Sequence, residues 1–189
     1  MRIIGGQARG RQIRLPAGCR IRPTADRVKE SLFNILHPVE GAYFLDIYAG
    51  CGNVGLEALS RGARGSVFVE KDLRLVDAIR ENLRLLGFEG QGEVIAAGAE
   101  QGLRRLGKRG ERFEILFADP PYDEDFLPEI LSCLEGAELL AKNGIIVLQH
   151  SVREDPKESL TQTLVMTDQR RYGDTLLSFL IKSTEEPSL

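Results

Sequence analysis

The sequence contains no tryptophan, only two histidines and only three cysteines among its 189 residues. The cysteines, Cys19, Cys51 and Cys133, are odd in number and widely spaced, and His37 and His150 are equally far apart. A disulfide framework needs paired cysteines, and a zinc site needs clustered cysteine or histidine ligands. The sequence therefore predicts neither a disulfide-stapled domain nor a metal site.

Long apolar runs are also lacking. No stretch approaches the roughly 18 apolar residues that span a bilayer, and the first residues turn basic where a secretory signal would be apolar. Membrane function is therefore not expected, and we predict a cytoplasmic location. With 42% hydrophobic and 28% charged residues, the chain has the composition and size of one globular domain with a small appendage.

Charge is distributed unevenly along the chain. Residues 1–30 hold eight Lys or Arg against two acids, a net charge of +6, whereas the remainder holds 17 against 26, a net charge of -9. Seven of the eight cations are arginines, whose planar guanidinium suits phosphate, and glycines lie between them. This pattern favours a polyanion-binding arm ahead of an acidic body. A solvated basic tail without a partner is the alternative.

The spacing of apolar residues predicts a regular alternation of strands and helices. Residues 1–22 indicate a small hairpin or extended arm, and a helix follows from the start signal at 23–26 to the stop at His37-Pro38. The predicted strands are 43–48, 66–70, 92–96, 113–118 and 144–149. The predicted helices between them are 53–62, 72–86, 99–107 and 125–136.

The C-terminal part differs, since the apolar runs near 164–166 and 176–181 flank a turn at 172–175 and predict an antiparallel hairpin. Short apolar strands separated by helices imply a parallel sheet covered on both faces. We therefore predict an α/β protein of the class I, Rossmann-like methyltransferase type, with a seven-stranded, mostly parallel sheet. The predicted divisions are an N-terminal arm at 1–22, a methyltransferase domain at 23–183 and a flexible tail at 184–189.

A glycine-rich turn follows the first sheet strand. It contains G-x-G-x-x-G at Gly50, Gly52 and Gly55, which lets the backbone approach a dinucleotide or an adenosyl cofactor equally well. Asp46 lies inside the strand before this turn, and Glu70 ends the next strand, where it can accept bonds from ribose hydroxyls. A carboxylate at Asp46 would repel a pyrophosphate but attract the ammonium and sulfonium of S-adenosylmethionine. As purely structural alternatives, Asp46 would cap the turn and Glu70 would be a surface acid.

The tetrapeptide Asp119-Pro120-Pro121-Tyr122 follows the fourth predicted strand, at the same sheet edge. An exocyclic base amine is a poor nucleophile, and a carboxylate and a carbonyl that accept its two N–H groups can localise its lone pair. The prolines make the loop stiff and rich in acceptors, and Tyr122 can stack on a flipped base. We predict Asp119, Pro120 and Tyr122 as catalytic residues, with Asp119 also next to the cofactor. A plain turn after a strand is the alternative.

These motifs, together with others along the chain, resemble those of the RsmD family, and the resemblance covers essentially all 189 residues. The further segments that carry it are Arg2-Ile3-Ile4-Gly5-Gly6, Arg9-Gly10-Arg11, Arg22-Pro23-Thr24, Asp26-Arg27-Val28-Lys29-Glu30, Gly55-Leu56-Glu57-Ala58-Leu59-Ser60-Arg61-Gly62-Ala63 and Tyr172-Gly173-Asp174-Thr175.

The resemblance implies methylation of the 2-amino group of one guanine in 16S ribosomal RNA, with S-adenosylmethionine as cofactor. It also implies an RNA contact through the arm, for which we select Arg9, Arg11 and Arg22. The expected partner is a 30S subunit or an assembly intermediate, bound by a monomer without metal or membrane.

Several positions depart from the family pattern. Cys51 replaces the usual Ser or Thr of the glycine loop, and Asn53 and Val54 stand near the usual Ala or Leu. Ala97-Gly98 follows the third strand where Asp or Asn often contacts adenine, and Gln149-His150 ends the fifth where Glu is common.

Three other functions remain open on the sequence. DNA adenine-N6 and cytosine-N4 methyltransferases use the same tetrapeptide, although this chain is short and has no obvious target-recognition insertion. A nicotinamide-binding domain would account for the glycine turn alone. A catalytically silent RNA-binding assembly factor would account for the basic arm, but not for the intact Asp119.

Overall fold

The computed structural model describes residues 1–18, 26–36, 38–121, 126–136, 138–154, 156, 160 and 163–183. The predicted RNA contact at Arg22, the predicted base-stacking residue Tyr122 and the tail at 184–189 lie outside these residues. Within them, no helix is long and apolar enough to cross a membrane.

Helices and strands alternate along the chain close to the predicted positions. The helices are α1 Asp26–Ile35, α2 Asn53–Ser60, α3 Leu73–Leu86, α4 Ala99–Lys108 and α5 Phe126–Gly136. The strands are β1 Tyr43–Ile47, β2 Gly65–Glu70, β3 Gly92–Ala96, β4 Phe113–Ala118, β5 Leu140–Ser151, β6 Leu164–Tyr172 and β7 Thr175–Lys182.

In the part of the chain that the structure describes, seven strands form one sheet in the order β3-β2-β1-β4-β5-β7-β6. The pairs β1/β2, β2/β3 and β4/β5 are parallel, whereas β7 runs antiparallel to both β5 and β6. The predicted α/β class with a mostly parallel sheet and a C-terminal hairpin is confirmed.

Most boundaries lie within two residues of the sequence prediction, and two of the differences have a visible cause. Strand β5 begins at Leu140 instead of residue 144, because Leu140 already pairs with Phe113 of β4. Asn143, with a φ of 63°, lies in a register irregularity inside the strand rather than in a turn before it. Helix α2 ends at Ser60 instead of residue 62, since Gly62 has a φ of 94°, outside the helical region.

The chain divides into two compact units, residues 1–102 and 103–189. In the first unit α2 packs on β1 and β2, and α3 packs on β2 and β3. Every residue of β2 and the last four of β1 are buried, which explains why both strands are nearly continuous in apolar sequence. Because these strands are parallel, their carboxyl ends lie at the same end of the sheet.

Residues 1–18, the N-terminal segment, fold back on themselves within the first unit. The Ile3 amide donates to the Arg11 carbonyl over 2.9 Å, and the Ile13 amide donates to the Met1 carbonyl over 3.0 Å. The side chains of Ile3 and Ile13 are buried, so the segment contributes to the core. The predicted division of the chain at residue 22 stays a prediction.

In the second unit, β6 and β7 are joined by the two residues Gly173 and Asp174, and Gly173 has the positive φ of 64° that such a tight hairpin turn requires. His150 of β5 is fully buried, and its Nε2 lies 2.8 Å from Oγ of Ser178 in β7. The other ring nitrogen, Nδ1, lies 3.0 Å from the Ser151 carbonyl oxygen, which accepts its proton. His150 is thus held in the core by hydrogen bonds at both ring nitrogens.

Candidate functional site

The glycine loop, residues 48–55, joins β1 to α2 through three residues with positive φ. Tyr48 has a φ of 59°, Gly50 of 58° and Gly52 of 82°. Glycine adopts this conformation freely, whereas Tyr48 is strained and must be held by its surroundings. The predicted need for Gly50 and Gly52 at this turn follows from their backbone angles.

Gly55 serves a different purpose in the same loop. A Cβ at this position would lie 2.4 Å from Cε1 of Phe68 and 2.7 Å from Oγ of Ser66, so α2 approaches β2 too closely for any side chain. The Gly55 amide also donates to Oδ2 of Asp46 over 2.8 Å. Asp46, only 2% exposed, therefore satisfies one of the first amides of α2 and places its charge at the positive end of the helix.

Glu70, at the end of β2, is hydrogen-bonded to the main chain of the glycine loop. Its Oε2 accepts the Gly50 amide over 2.9 Å, and its Oε1 accepts the Asp72 amide over 2.8 Å. Each carboxylate oxygen has a second lone pair, so these bonds leave capacity for ligand hydroxyls. Both Asp46 and Glu70 thus have a structural contact in the loop, and their predicted contacts to a cofactor stay predictions.

Cys51, in the middle of the glycine loop, is buried. Desolvation, with a smaller contribution from the charge of Asp46, raises the pKa of the Cys51 thiol to about 11. We therefore expect Cys51 to be protonated and unreactive at pH 8, with alkylation by iodoacetamide about 100-fold slower than in the urea-unfolded chain. Peptide mass spectrometry would resolve Cys51 from the half-buried Cys133, and equal rates for Cys51 in both states would contradict the expectation.

Asp119 follows β4 in the second unit, where Gln149 of the neighbouring strand β5 orients it. Ala118 pairs with Leu148 in the parallel register, which places the next residues side by side, and Gln149 Nε2 donates to Asp119 Oδ2 over 2.8 Å. Gln149 is 5% exposed and Asp119 is half-buried, so the donor side of this bond is shielded from solvent. Because the Gln149 amide donates this bond, Asp119 acts as the acceptor. A carboxylate in place of Gln149 would instead repel Asp119 and favour a proton shared between the two groups.

The loop after Asp119 is described as far as Pro121. Pro120 is buried and Pro121 is exposed, so the first proline anchors the turn against the core. Because a proline has no amide hydrogen, these two residues offer carbonyl oxygens without a competing donor. Asp119 and Pro120 thus form a stiff acceptor site, and its catalytic role stays a prediction.

The predicted RNA-binding arginines differ in their surroundings. Arg9 is exposed. The Arg11 guanidinium donates to the carbonyls of Leu85 and Leu86, at the last turn of α3, where a cation is favourable. Arg11 thus attaches the N-terminal segment to α3, whereas Arg9 presents its charge to solvent.

Sequence reasoning missed three buried polar residues near the glycine loop: Lys29, Glu57 and Asn82. Lys29 and Glu57 are both fully buried, and Lys29 Nζ lies 3.2 Å from Glu57 Oε2. Burial lowers the pKa of Lys29, and the charge of Glu57 and its hydrogen bond oppose this shift. In the sequence, the only sign of this buried pair is a glutamate, Glu57, between apolar residues of a short helix. That pattern does not indicate that Lys29 is its partner.

Within the described residues, no group of three or more His, Cys, Asp or Glu could hold a metal ion. The groups that the structure does assemble are the glycine loop with its two carboxylates in the first unit and the Asp119–Gln149 pair in the second. Each lies where a strand ends, which is where ligands bind in open α/β sheets.

Comparison with known proteins identifies relatives over nearly the whole chain. Residues 1–181 match the model of the family described as Conserved hypothetical protein 95. The chain is 40% identical over 153 residues to "Ribosomal RNA small subunit methyltransferase D" of Escherichia coli strain K12, covering 80% of this chain and 75% of that protein. It is 38% identical over 176 residues to "Putative rRNA methyltransferase YlbH" of Bacillus subtilis strain 168, covering 93% and 95%.

A solved structure named "Putative methyltransferase yhhF from Escherichia coli" matches with a TM-score of 0.86 and 34% identity over 98% of this chain and 99% of that one. The agreement extends over the sheet, the helices and the C-terminal hairpin, since nearly all of both chains is included.

Proposed function

Since this chain belongs to the RsmD family, we propose that it transfers a methyl group from S-adenosylmethionine to the 2-amino group of a guanine in 16S ribosomal RNA. The observation that carries the proposal is Asp119, an oriented carboxylate followed by two prolines at the end of β4. The names of the relatives support a ribosomal RNA methyltransferase. The choice of guanine and of its 2-amino group is our inference.

The residues of the first unit suit a cationic adenosyl cofactor. The carboxylates of Asp46 and Glu70 lie at the ends of two adjacent parallel strands, and negative charge there favours a ligand that carries an ammonium and a sulfonium. We assign Glu70 to the ribose hydroxyls and the backbone of Gly50, Gly52 and Gly55 to close approach by the cofactor. Bound there, S-adenosylmethionine supplies an electrophilic methyl group.

Asp119 would act on the base rather than on the cofactor's methyl group. Its carboxylate accepts one N–H of the amine, and the Pro120 carbonyl accepts the other, so that the nitrogen lone pair turns away from the ring and toward the methyl group. As the N–C bond forms, the S–C bond breaks and the amine becomes cationic. Its proton then passes to Asp119 or to water, so no strong base is needed. Positioning accounts for most of the rate gain.

The substrate we propose is a 30S subunit or an assembly intermediate, with the guanine in a loop or flipped out of its helix. The arginines of the N-terminal segment would contact phosphates near it. We expect the enzyme to work as a monomer in the cytoplasm.

Methylation of ribosomal particles tests the proposal directly. Purified protein and labelled S-adenosylmethionine are incubated with 30S particles from a strain that lacks its own enzyme, and the modified nucleotide is mapped by mass spectrometry. Label on the 2-amino group of one guanine is expected. Label on a ring carbon, label removed by deoxyribonuclease, or no label in RNA would each overturn the proposal, the second outcome indicating a DNA methyltransferase.

Replacement of Arg9 tests the RNA-binding role of the N-terminal segment. Because Arg9 is exposed, Arg9→Ala should weaken RNA binding and reduce the slope of log K against log salt by about 0.7 to 0.9. Arg170→Ala is a matched control, since Arg170 pairs with Asp168 on the surface of the second unit. Filter binding at several salt concentrations provides the slopes, and an unchanged slope for Arg9→Ala would leave the segment without a phosphate contact at this residue.

A further inference from the structure

The N-terminal segment is held to α2 through its main chain. The amides of Ile4 and Gly5 donate to the two oxygens of Glu57 over 2.9 and 2.7 Å, and the Ala8 amide donates to Ser60 Oγ over 2.9 Å. Glu57 and Ser60 are both buried. Detaching the segment would break these three hydrogen bonds, so the segment and α2 are linked energetically.

Lys29 of α1 contacts the segment and the glycine loop at the same time. Its ammonium donates to the Arg2 carbonyl and to Asn53 Oδ1, each over 2.8 Å. Arg2 belongs to the segment, and Asn53 is the glycine-loop residue at which α2 begins. The Lys29 side chain is fully buried, so losing either bond would leave part of a buried charge unsatisfied.

Asn82 of α3 makes a second connection of the same kind. Its Oδ1 accepts the Arg14 amide over 2.9 Å, and its Nδ2 donates to the carbonyls of Arg14 over 3.0 Å and Cys51 over 3.3 Å. Arg14 lies in the segment and Cys51 in the glycine loop. Asn82 is 1% exposed, so water does not replace a lost partner.

We propose that the N-terminal segment and the glycine loop become ordered together through Lys29 and Asn82, so that cofactor binding and RNA binding strengthen each other. This proposal rests on the proposed function, in which the loop binds the adenosyl cofactor and the segment binds RNA. A ligand that fixes the loop also fixes the side chains that hold the segment, and less ordering entropy is lost when the second ligand binds. The effect is reciprocal, because a coupling free energy acts equally on both sites.

Hydrogen exchange with S-adenosylhomocysteine as the probe tests the coupling in the full-length protein. Saturation with the probe should slow exchange of the amides of Ile4, Gly5, Ala8 and Arg14 by about fivefold or more, although these amides belong to the segment and not to the loop. If the probe binds while exchange at these amides is unchanged, the coupling is wrong and the proposed function stands. If the probe does not bind the wild-type protein at all, the proposed function itself fails.

Two substitutions separate coupling from simple structural support. Asn82→Ala removes the contact to both elements. Ser60→Ala loosens the segment alone, because the Ser60 hydroxyl bonds to Ala8 and Gly5 of the segment and, within the described residues, to no part of the glycine loop. Both should weaken S-adenosylhomocysteine binding by about fivefold at temperatures where circular dichroism shows folded protein. Arg80→Ala, an exposed change on α3, should leave affinity unchanged. A lower melting temperature with wild-type affinity for both Asn82→Ala and Ser60→Ala would reduce the contacts to structural support and overturn the proposal.

Discussion

Asp119→Ala should remove nearly all methyl transfer while S-adenosylhomocysteine binding stays within about threefold of the wild-type value. The carboxylate is proposed to accept a base N–H, and loss of one such positioned group costs about 100-fold or more in kcat. The cofactor is expected to depend on Asp46, the glycine loop and Glu70, all in the first unit, so its binding should be nearly unaffected. Single-turnover transfer of labelled methyl to 30S particles, with calorimetric titration of S-adenosylhomocysteine, measures both quantities.

Gln149→Leu is the informative companion to Asp119→Ala. It keeps the carboxylate but removes the donor 2.8 Å from its Oδ2, so Asp119 loses its fixed orientation. We expect kcat to fall by about tenfold with little change in KM for RNA, an effect on positioning rather than on binding. Full activity of Asp119→Ala would disprove the catalytic assignment, whatever the result for Gln149→Leu.

Glu57→Ala is expected to destabilise the first unit strongly. The Glu57 carboxylate is fully buried and accepts hydrogen bonds from the amides of Ile4 and Gly5 and from Arg61 Nε, and it lies 3.2 Å from the Lys29 ammonium. Its removal leaves a buried lysine without its counter-charge and two amides without an acceptor. Breaking a buried pair in this way costs about 3 to 5 kcal/mol of the free energy of unfolding, measurable by urea denaturation.

Two further variants show whether the loss of stability in Glu57→Ala comes from the buried charge network. Asp77→Ala breaks an exposed ion pair with Arg80 on α3 and should cost less than about 1 kcal/mol, because water screens such pairs. The double substitution Glu57→Leu with Lys29→Met removes both buried charges, and it should be less destabilising than the sum of its single changes. If Glu57→Ala unfolds at the same urea concentration as Asp77→Ala, the network does not stabilise the fold.

Local sequence patterns predicted most of the fold because they reflect local physics. The alternation of apolar runs and glycine turns located β1 to β4 and the four helices after them. The runs in β1, β2 and β4 are nearly continuous because these strands are buried on both faces. Gly173-Asp174 marked the hairpin, because a two-residue turn requires a positive φ that glycine adopts freely. The start of β5 was missed, since Asn143-Gly144 has the composition of a turn while the chain there stays in the strand.

The chemistry of the site was only partly visible in the sequence. We selected three acids from the sequence, Asp46, Glu70 and Asp119, because each lies at or near the end of a predicted strand. That selection assumes parallel strands, and the parallel pairing is confirmed for β1 with β2 and for β4 with β5. The sequence did not show that Asp46 and Glu70 also accept backbone amides of the loop, or that Gln149 orients Asp119. A side chain's identity indicates which bonds it can make, but its partner depends on neighbours from other elements.

The sequence by itself determined the class of fold, the glycine loop and the acidic residues at the strand ends, because apolar periodicity, turn residues and charge act over a few neighbouring positions. It also located the basic N-terminal segment. Only the tertiary structure decided that this segment is docked on the glycine-loop side of the fold through Glu57, Lys29 and Asn82. These contacts join residues as far as 68 positions apart, and their energy comes from satisfying buried polar groups, which no local pattern encodes.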